Sequence, residues 1–385
     1  MSECPQNAPD FSRQPALANL AQLFEKLLGP IGSWQLLETI PLQVPNPRAF
    51  RMRFEQGNRI ASYIAKRLEP QIAQRNYLLL NRWLPAVGLS DHALNLLGVA
   101  AEPNGKYLWQ VYEDLGNCAL TPESPLSHIQ PAVELIAQLH LRFANHPLLA
   151  ECRLNGGDLG ANFFNSTVCD AVRAVKKLRH AELSSEQSKL CERLLVRLHC
   201  LTEEGLIRTR EIEELGGPET LLHGDLWTTN TFVVPEPNGL RARLIDWDHA
   251  AVGPITYDLS TFLLRFPNQR REVVLELYRE AVSGAEWRLP SACDLNRLFE
   301  TAEFSRFANR IIWPAIAFLQ ERAQWAFDAL AEVEQWFEDW KPVLLQEKQA
   351  LSASPGNPAR ASSHSAARNG GPQKVSDHLI AAEPG

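Results

Sequence analysis

Apolar positions recur every second residue through much of the stretch from Trp34 to Leu115, and with helical spacing through most of the chain after it. Phe50, Met52 and Phe54 alternate with Arg51 and Arg53. Gln56-Gly57-Asn58 then carries turn chemistry, and Ile60, Ser62 and Ile64 resume the alternation up to Lys66. That pattern predicts a β-hairpin. A helix is expected over about residues 71–84, then a strand over Tyr107–Tyr112 that runs into Glu113-Asp114-Leu115. Farther on, Leu135, Leu139 and Phe143 share one face of a helix expected over Pro131–His146. Ser184 and Gln187 form a capping box ahead of Leu190, Leu194, Leu198 and Leu201. Residues 270–283, 295–311 and 320–348 are helical by the same period. One region breaks the helical half, a set of short strands over 220–247. The expected class is therefore α+β in two lobes. A small antiparallel-sheet lobe covers 16–115, and a larger, mostly helical lobe covers 116–350 with a hairpin set into it. Residues 1–15 are expected to be loose. Residues 351–385, rich in Ser, Ala, Pro, Gly and Asn without periodicity, are expected to form a disordered tail.

Composition narrows the function classes more than the fold. A chain of 385 residues, 45% hydrophobic and 22% charged, can bury a core large enough for two lobes. Its formal net charge of −7 offers no support for a nucleic-acid partner or an anionic membrane. The seven cysteines are scattered and free of C-x-x-C spacing, which argues against a disulfide framework or zinc site and suits a reducing compartment. No basic segment followed by an apolar core opens the chain. The longest apolar run, Ile311–Leu319, is too short to span a bilayer and contains Pro314. The expectation is a soluble, cytoplasmic protein.

The candidate chemistry sits in the strand-bearing interruption. Thr220–His223 reads as a short strand leading into a polar loop, and Thr231–Val234 as another. Pro235-Glu236-Pro237-Asn238-Gly239 is turn chemistry, and Arg241–Trp247 returns as a strand. A hairpin of this length sets its ends side by side, so Asn230 is expected close to Asp246, with Asp225 on the same loop. Hard oxygen ligands converging on one point suit Mg²⁺, and Mg²⁺ beside a free carboxylate suits phosphoryl transfer. Asp246 and Asn230 are the expected metal ligands, and Asp225 the group that orients the attacking hydroxyl or takes its proton. His223 is expected to hold the loop through main-chain hydrogen bonds.

His223-x-Asp225-x-x-x-x-Asn230 followed by Ile245-Asp246-Trp247 resembles the aminoglycoside phosphotransferase and choline kinase superfamily, which shares its fold with protein kinases. The likeness continues in Gly253-Pro254-Ile255-Thr256-Tyr257-Asp258-Leu259, similar to the family's G-x-x-x-x-D-L segment, and it covers about residues 31–345. It implies a two-lobed kinase-like fold, ATP and Mg²⁺ as cofactors, and a small-molecule hydroxyl as acceptor. It also implies that Asp258 buttresses the catalytic loop. Leu139-His140 falls where the family has its helix motif. Glu113 and Leu115, flanking Asp114, fall at the hinge that contacts adenine, and Lys66 at the strand lysine that contacts the ATP phosphates. Two departures from the family stand out. The loop over 43–48 reads Q-V-P-N-P-R and has no glycine, so fewer N–H groups can approach a phosphate. The acid expected on the next helix to pair with Lys66 is missing as well; Asn76 stands there, and Glu69 is the nearest carboxylate in sequence.

Other readings stay open at this level. Gly156-Gly157-Asp158-Leu159-Gly160 reads as a surface turn. Asp248 could assist the metal or be an ordinary hydrogen-bonded carboxylate, and Trp227 could face substrate or pack the loop. Trp336 and Trp340, spaced i, i+4, read as a core-facing stripe. Arg306 and Arg310 share that spacing and could point toward an anionic substrate. His223-Gly224-Asp225-Leu226-Trp227 is also similar to fructosamine kinases, which act on protein-linked sugars. A nucleotide-binding protein without catalysis is the remaining alternative.

Overall fold

The computed structural model describes residues 20–30, 32–42 and 47–345. The N-terminal stretch 1–15, the tail 351–385 and most of the glycine-free loop at 43–48 lie outside the described residues.

Strand alternation builds the smaller lobe. β1 (Gln35–Pro41), β2 (Ala49–Gln56), β3 (Arg59–Leu68), β4 (Leu96–Ala101) and β5 (Leu108–Glu113) form one antiparallel sheet in the order β1-β2-β3-β5-β4. The hairpin runs in register from Ala49 opposite Lys66 to Gln56 opposite Arg59. Phe50, Met52 and Phe54 face a core that also holds Ala65, Trp109 and Val111. Phe24 and Leu28 of α1 (Ala21–Leu28) close that core from outside. Ala65 points into this core, so its neighbour Lys66 projects from the opposite face of the sheet. On that face Gln110, paired with Lys66, donates to Ala73 O of α2 (Pro70–Leu78). Pro70 opens this helix, at the position where the missing N–H costs nothing. The helix continues through a π turn, Leu79–Trp83, into α3 (Leu84–Ala86).

In the larger lobe, α4 (Leu126–Phe143) begins before Pro131, not at it. Burial of Ile129 and Ala132 in the main core holds the turn that Pro131 by itself disfavours. α5 (Leu149–Gly156) and α6 (Ala161–Leu178) follow. α7 (Ser185–Glu203) carries the expected capping box, and α8 (Gly205–Leu215) completes the run. β6 (Glu219–Leu222) pairs with β9 (Ala251–Pro254), and between them β7 (Thr231–Glu236) and β8 (Gly239–Leu244) form their own hairpin. Then come α9 (Ile255–Leu264), α10 (Asn268–Ala281), α11 (Ala292–Glu321) and α12 (Ala326–Glu338).

Two readings of the chain are corrected here. The apolar run Ile311–Leu319 belongs to one 30-residue helix, α11, and the expected helix over 320–348 is interrupted. Arg322 takes a left-handed conformation, φ 53°, and α12 starts only at Ala326. Gly156–Gly160 is not a free surface turn. Leu159 N–H donates to Val252 O and Val252 N–H to Gly157 O, which docks the segment on β9. A Cβ at Gly156 would lie 2.2 Å from Ala250 O, so the close approach requires glycine. The α+β class holds: an antiparallel sheet lobe precedes a mainly helical one. No helix among the described residues is long and apolar enough to cross a membrane.

Candidate active site

The loop after β6 is shaped by two constraints. Gly224 has φ 81°, and a Cβ there would lie 2.0 Å from His249 O, so only glycine lets the loop pass under the turn that follows β8. Asp258, fully buried in the first turn of α9, accepts both main-chain N–H groups of the loop's start. His223 N–H lies 2.7 Å from its Oδ2 and Gly224 N–H 2.9 Å from its Oδ1. Burial raises the Asp258 pKa, but His140, His223 and the main-chain donors more than offset this and hold it below the usual aspartate value. His140 Nε2 sits 3.6 Å from Asp258 Oδ2, a loose contact, while its Nδ1 is 2.8 Å from Tyr278 Oη. His223 Nε2 lies 2.8 Å from Ile245 O, so the ring ties the loop to the strand end just before Asp246.

The β7–β8 hairpin brings the remaining groups together. Ile245 N–H donates to Asn230 O at 3.0 Å, which sets the Asn230 main chain against the residue preceding Asp246. Asn230 Nδ2 donates to Asp225 O at 3.0 Å and lies 3.4 Å from Asp225 Oδ2. Asp246 adopts a left-handed conformation, φ 62°, which aspartate tolerates better than most residues. One of its oxygens, Oδ1, is 2.5 Å from Lys66 Nζ, and its side chain remains about a third exposed (33%) to the cleft. Burial lowers the Lys66 pKa, yet Asp246 and Asp248 together raise it well above the lysine value. The Asp246 pKa is pushed up by burial and, more weakly, by Asp225, but the Lys66 ammonium dominates and holds it low. Both groups are therefore charged at neutral pH.

Among the described residues no cluster of three or more His, Cys, Asp or Glu side chains is placed to hold a metal unaided. Mg²⁺ does not need one. It usually keeps several waters and takes one or two protein oxygens together with substrate phosphates. The donor set fits: Asn230 spends its amide nitrogen on Asp225, which leaves its amide oxygen available, and its main chain is held against the residue preceding Asp246.

The side chains at the expected hinge are engaged within the protein. Glu113, at the end of β5, accepts from Arg243 Nη1 at 2.8 Å and from Asn95 N–H at 2.9 Å, which ties the sheet lobe to β8. Asp114 is taken by Ser62 Oγ at 2.5 Å, by Gly116 N–H at 2.9 Å and by Arg51. Leu115 is half-buried beside them, and both acids serve as straps between elements.

Several side chains that periodicity does not reveal also sit here. Asp248 lies 2.7 Å from Lys66 Nζ, and Asn76 Nδ2 donates to it at 2.9 Å. The Arg265 guanidinium, at the end of α9, lies 4.0 Å over the Trp227 ring, which packs the loop after β6 from the α9 side. Arg306 is engaged within the fold: it pairs with Glu303 and donates to Ser260 Oγ and Tyr257 O. Arg310 is exposed, and Trp336 and Trp340 pack on Phe307.

A profile of the phosphotransferase enzyme family matches residues 51–293, well over half the chain, a span that includes Lys66, Asp225, Asn230, Asp246 and Asp258. The chain belongs to this family. A search of curated protein sequences finds no match. Solved structures of phosphotransferases share the fold at low identity. An ethanolamine kinase of Plasmodium vivax superposes with a TM-score of 0.56 at 13% identity, covering 83% of this chain and 86% of that one. Aminoglycoside 2'-phosphotransferase-IIIa, solved with GDP, gives 0.52 at 13%, with 83% and 98% covered. The choline kinase LicA of Streptococcus pneumoniae gives 0.50 at 13%, with 86% and 100% covered. This phosphotransferase thus has the kinase-like fold of the aminoglycoside phosphotransferase and choline kinase superfamily, whose members are small-molecule kinases.

Proposed function

We propose that the chain is an ATP- and Mg²⁺-dependent phosphotransferase that moves the γ-phosphate of ATP to a hydroxyl group of a small molecule. The observation that carries this reading is the convergence of Asp225, Asn230 and Asp246 at one edge of the cleft, with the Lys66 ammonium 2.5 Å from Asp246. When bound, ATP supplies the phosphoryl group, and Mg²⁺ neutralises the charge its transfer develops. Asp246 and the Asn230 amide oxygen would hold the metal. Asp225 would receive a hydrogen bond from the acceptor hydroxyl, orient it and take its proton as the acceptor oxygen bonds the γ-phosphorus and the bond to the β–γ bridging oxygen breaks, with ADP as the leaving group. Asn230 Nδ2, donating to the Asp225 main chain, keeps that carboxylate in place. Lys66 contributes a fixed positive charge for the phosphates, and the main chain over Glu113–Leu115 the edge for the base. The GDP bound to one fold neighbour supports a nucleotide in this cleft.

Thermal shift with ATP, with and without Mg²⁺, tests the reading. Saturating ATP at about 100 times its Kd should stabilise the protein by about 2.7 kcal/mol. That gain should depend on Mg²⁺ and be lost in Asp246→Asn. Stabilisation that ignores Mg²⁺, together with absent turnover, would instead mark a nucleotide-binding protein without catalysis.

A further inference from the structure

Lys66 projects from the sheet lobe toward a pair of carboxylates two residues apart, Asp246 and Asp248. The two differ in what else they touch. Asp246 keeps a third of its side chain open to the cleft and gives Lys66 only Oδ1. Asp248 is less exposed (19%), and both of its oxygens are engaged, Oδ2 by Lys66 Nζ at 2.7 Å and Oδ1 by Asn76 Nδ2 at 2.9 Å. Asn76 is itself buried on α2, a helix without a single acid. Arg75, its neighbour on the same helix, donates to the main-chain carbonyl of Asp248, so the helix grips that residue twice.

The amide's orientation follows from its partner. A flipped Asn76 would set its oxygen against a carboxylate, so the nitrogen faces Asp248. As a metal ligand, Asp248 would have to share an oxygen already held by the ammonium or by the buried amide. The charges also balance only one way. Lys66 already faces two carboxylates, and a third on α2 would leave two excess negative charges where an anionic nucleotide has to enter. An acid on the helix or an acid at 248 can serve this lysine, but not both.

We propose that Asp248 is the positioning residue for Lys66: it holds the ammonium when Asp246 turns to the metal, and an amide suffices at Asn76 because Asp248, on the turn after β8, already supplies the acid that anchors this lysine. The proposal rests on the reading of the cleft as a site for ATP with Mg²⁺.

The test is a charge swap followed by calorimetric titration of ATP in the presence of Mg²⁺. Asp248→Asn removes the anchor and should weaken binding about tenfold, a loss of about 1.4 kcal/mol. Asn76→Glu adds the third carboxylate and should also weaken it. The combined Asp248→Asn/Asn76→Glu variant restores one acid beside the lysine and should recover to within about threefold of the native chain. Two defects that cancel are not what a structural role or a metal-ligand role for Asp248 would produce. Native affinity in Asp248→Asn, or a double variant no better than Asp248→Asn, would overturn the proposal. A second measurement needs no nucleotide. Melting temperatures of Lys66→Met, Asp248→Asn and their combination should depart from additivity by about 2 °C or more, and additive shifts would refute the contact. A native chain that binds no ATP while keeping this non-additivity would defeat the proposed function and leave the clamp standing.

Discussion

The loop that carries Asp225 and the clamp that carries Lys66 face each other across the cleft and are held by different kinds of bond. The loop hangs on main-chain groups: two N–H donors converge on buried Asp258, and the His223 ring meets the Ile245 carbonyl. The clamp hangs on side chains, with Lys66, Asp246, Asp248 and Asn76 reaching each other from separate elements. Main-chain anchoring fixes where Asp225 sits whatever its neighbours are, which suits a group that must meet a hydroxyl at one distance. Side-chain anchoring can exchange partners, which suits a lysine whose neighbour also serves a metal. It can also be rearranged residue by residue, and here α2 offers an amide where a carboxylate was expected.

Substitutions that break the loop should cost the most. In Gly224→Ala the new Cβ would sit 2.0 Å from His249 O at a positive φ, and the expected loss is about 4 kcal/mol of stability by urea unfolding. Asp258→Ala strands two buried N–H groups and should cost about 3–5 kcal/mol. Its pH signature separates it from ordinary core damage. The folded-state pKa of Asp258 lies below its unfolded value, so its contribution is complete above about pH 3.9 and is lost as pH falls through the folded value. The Asp258→Asn stability curve should therefore stay flatter than the native one below about pH 4.

Breaking the clamp should instead cost function more than stability. Lys66→Met should keep its fold by circular dichroism and lose about 10²-fold in kcat/KM for ATP. Smallest of all should be Arg243→Gln, which cuts the strap to Glu113. With both side chains partly exposed, its melting shift should correspond to no more than about 1 kcal/mol. A Lys66→Met variant that unfolds, or a Gly224→Ala variant that is fully stable, would erase the distinction between the two sides.

The same difference decides what could be read from the chain. The hairpin is legible because its turn, at Pro237-Asn238 within the turn chemistry of Pro235–Gly239, and its strands are contiguous, so the closeness of Asn230 and Asp246 follows from counting residues. The β2–β3 hairpin is legible for the same reason, through Phe50, Met52 and Phe54 on one face. The pairing of β6 with β9 is not: all but Glu219 of their residues are buried, so no alternation marks a face. The start of α4 is hidden because tertiary packing overrides Pro131. The partner of Lys66 is hidden because Asp248 is brought to it by packing of α2 against the turn after β8, and no local pattern records a contact between residues so far apart. Asp248 carries only the weak signal of a second acid next to Asp246.

Transfer of the terminal phosphate from labelled ATP to a panel of small hydroxyl compounds grouped by charge, run with the native chain and with Asp225→Asn, tests the central claim most directly. The native chain should phosphorylate at least one compound only when Mg²⁺ is present, and Asp225→Asn should bind ATP with native affinity yet lose turnover by about 10²-fold or more. Undiminished transfer by Asp225→Asn would contradict the role given to that carboxylate and the reading of the cleft built on it.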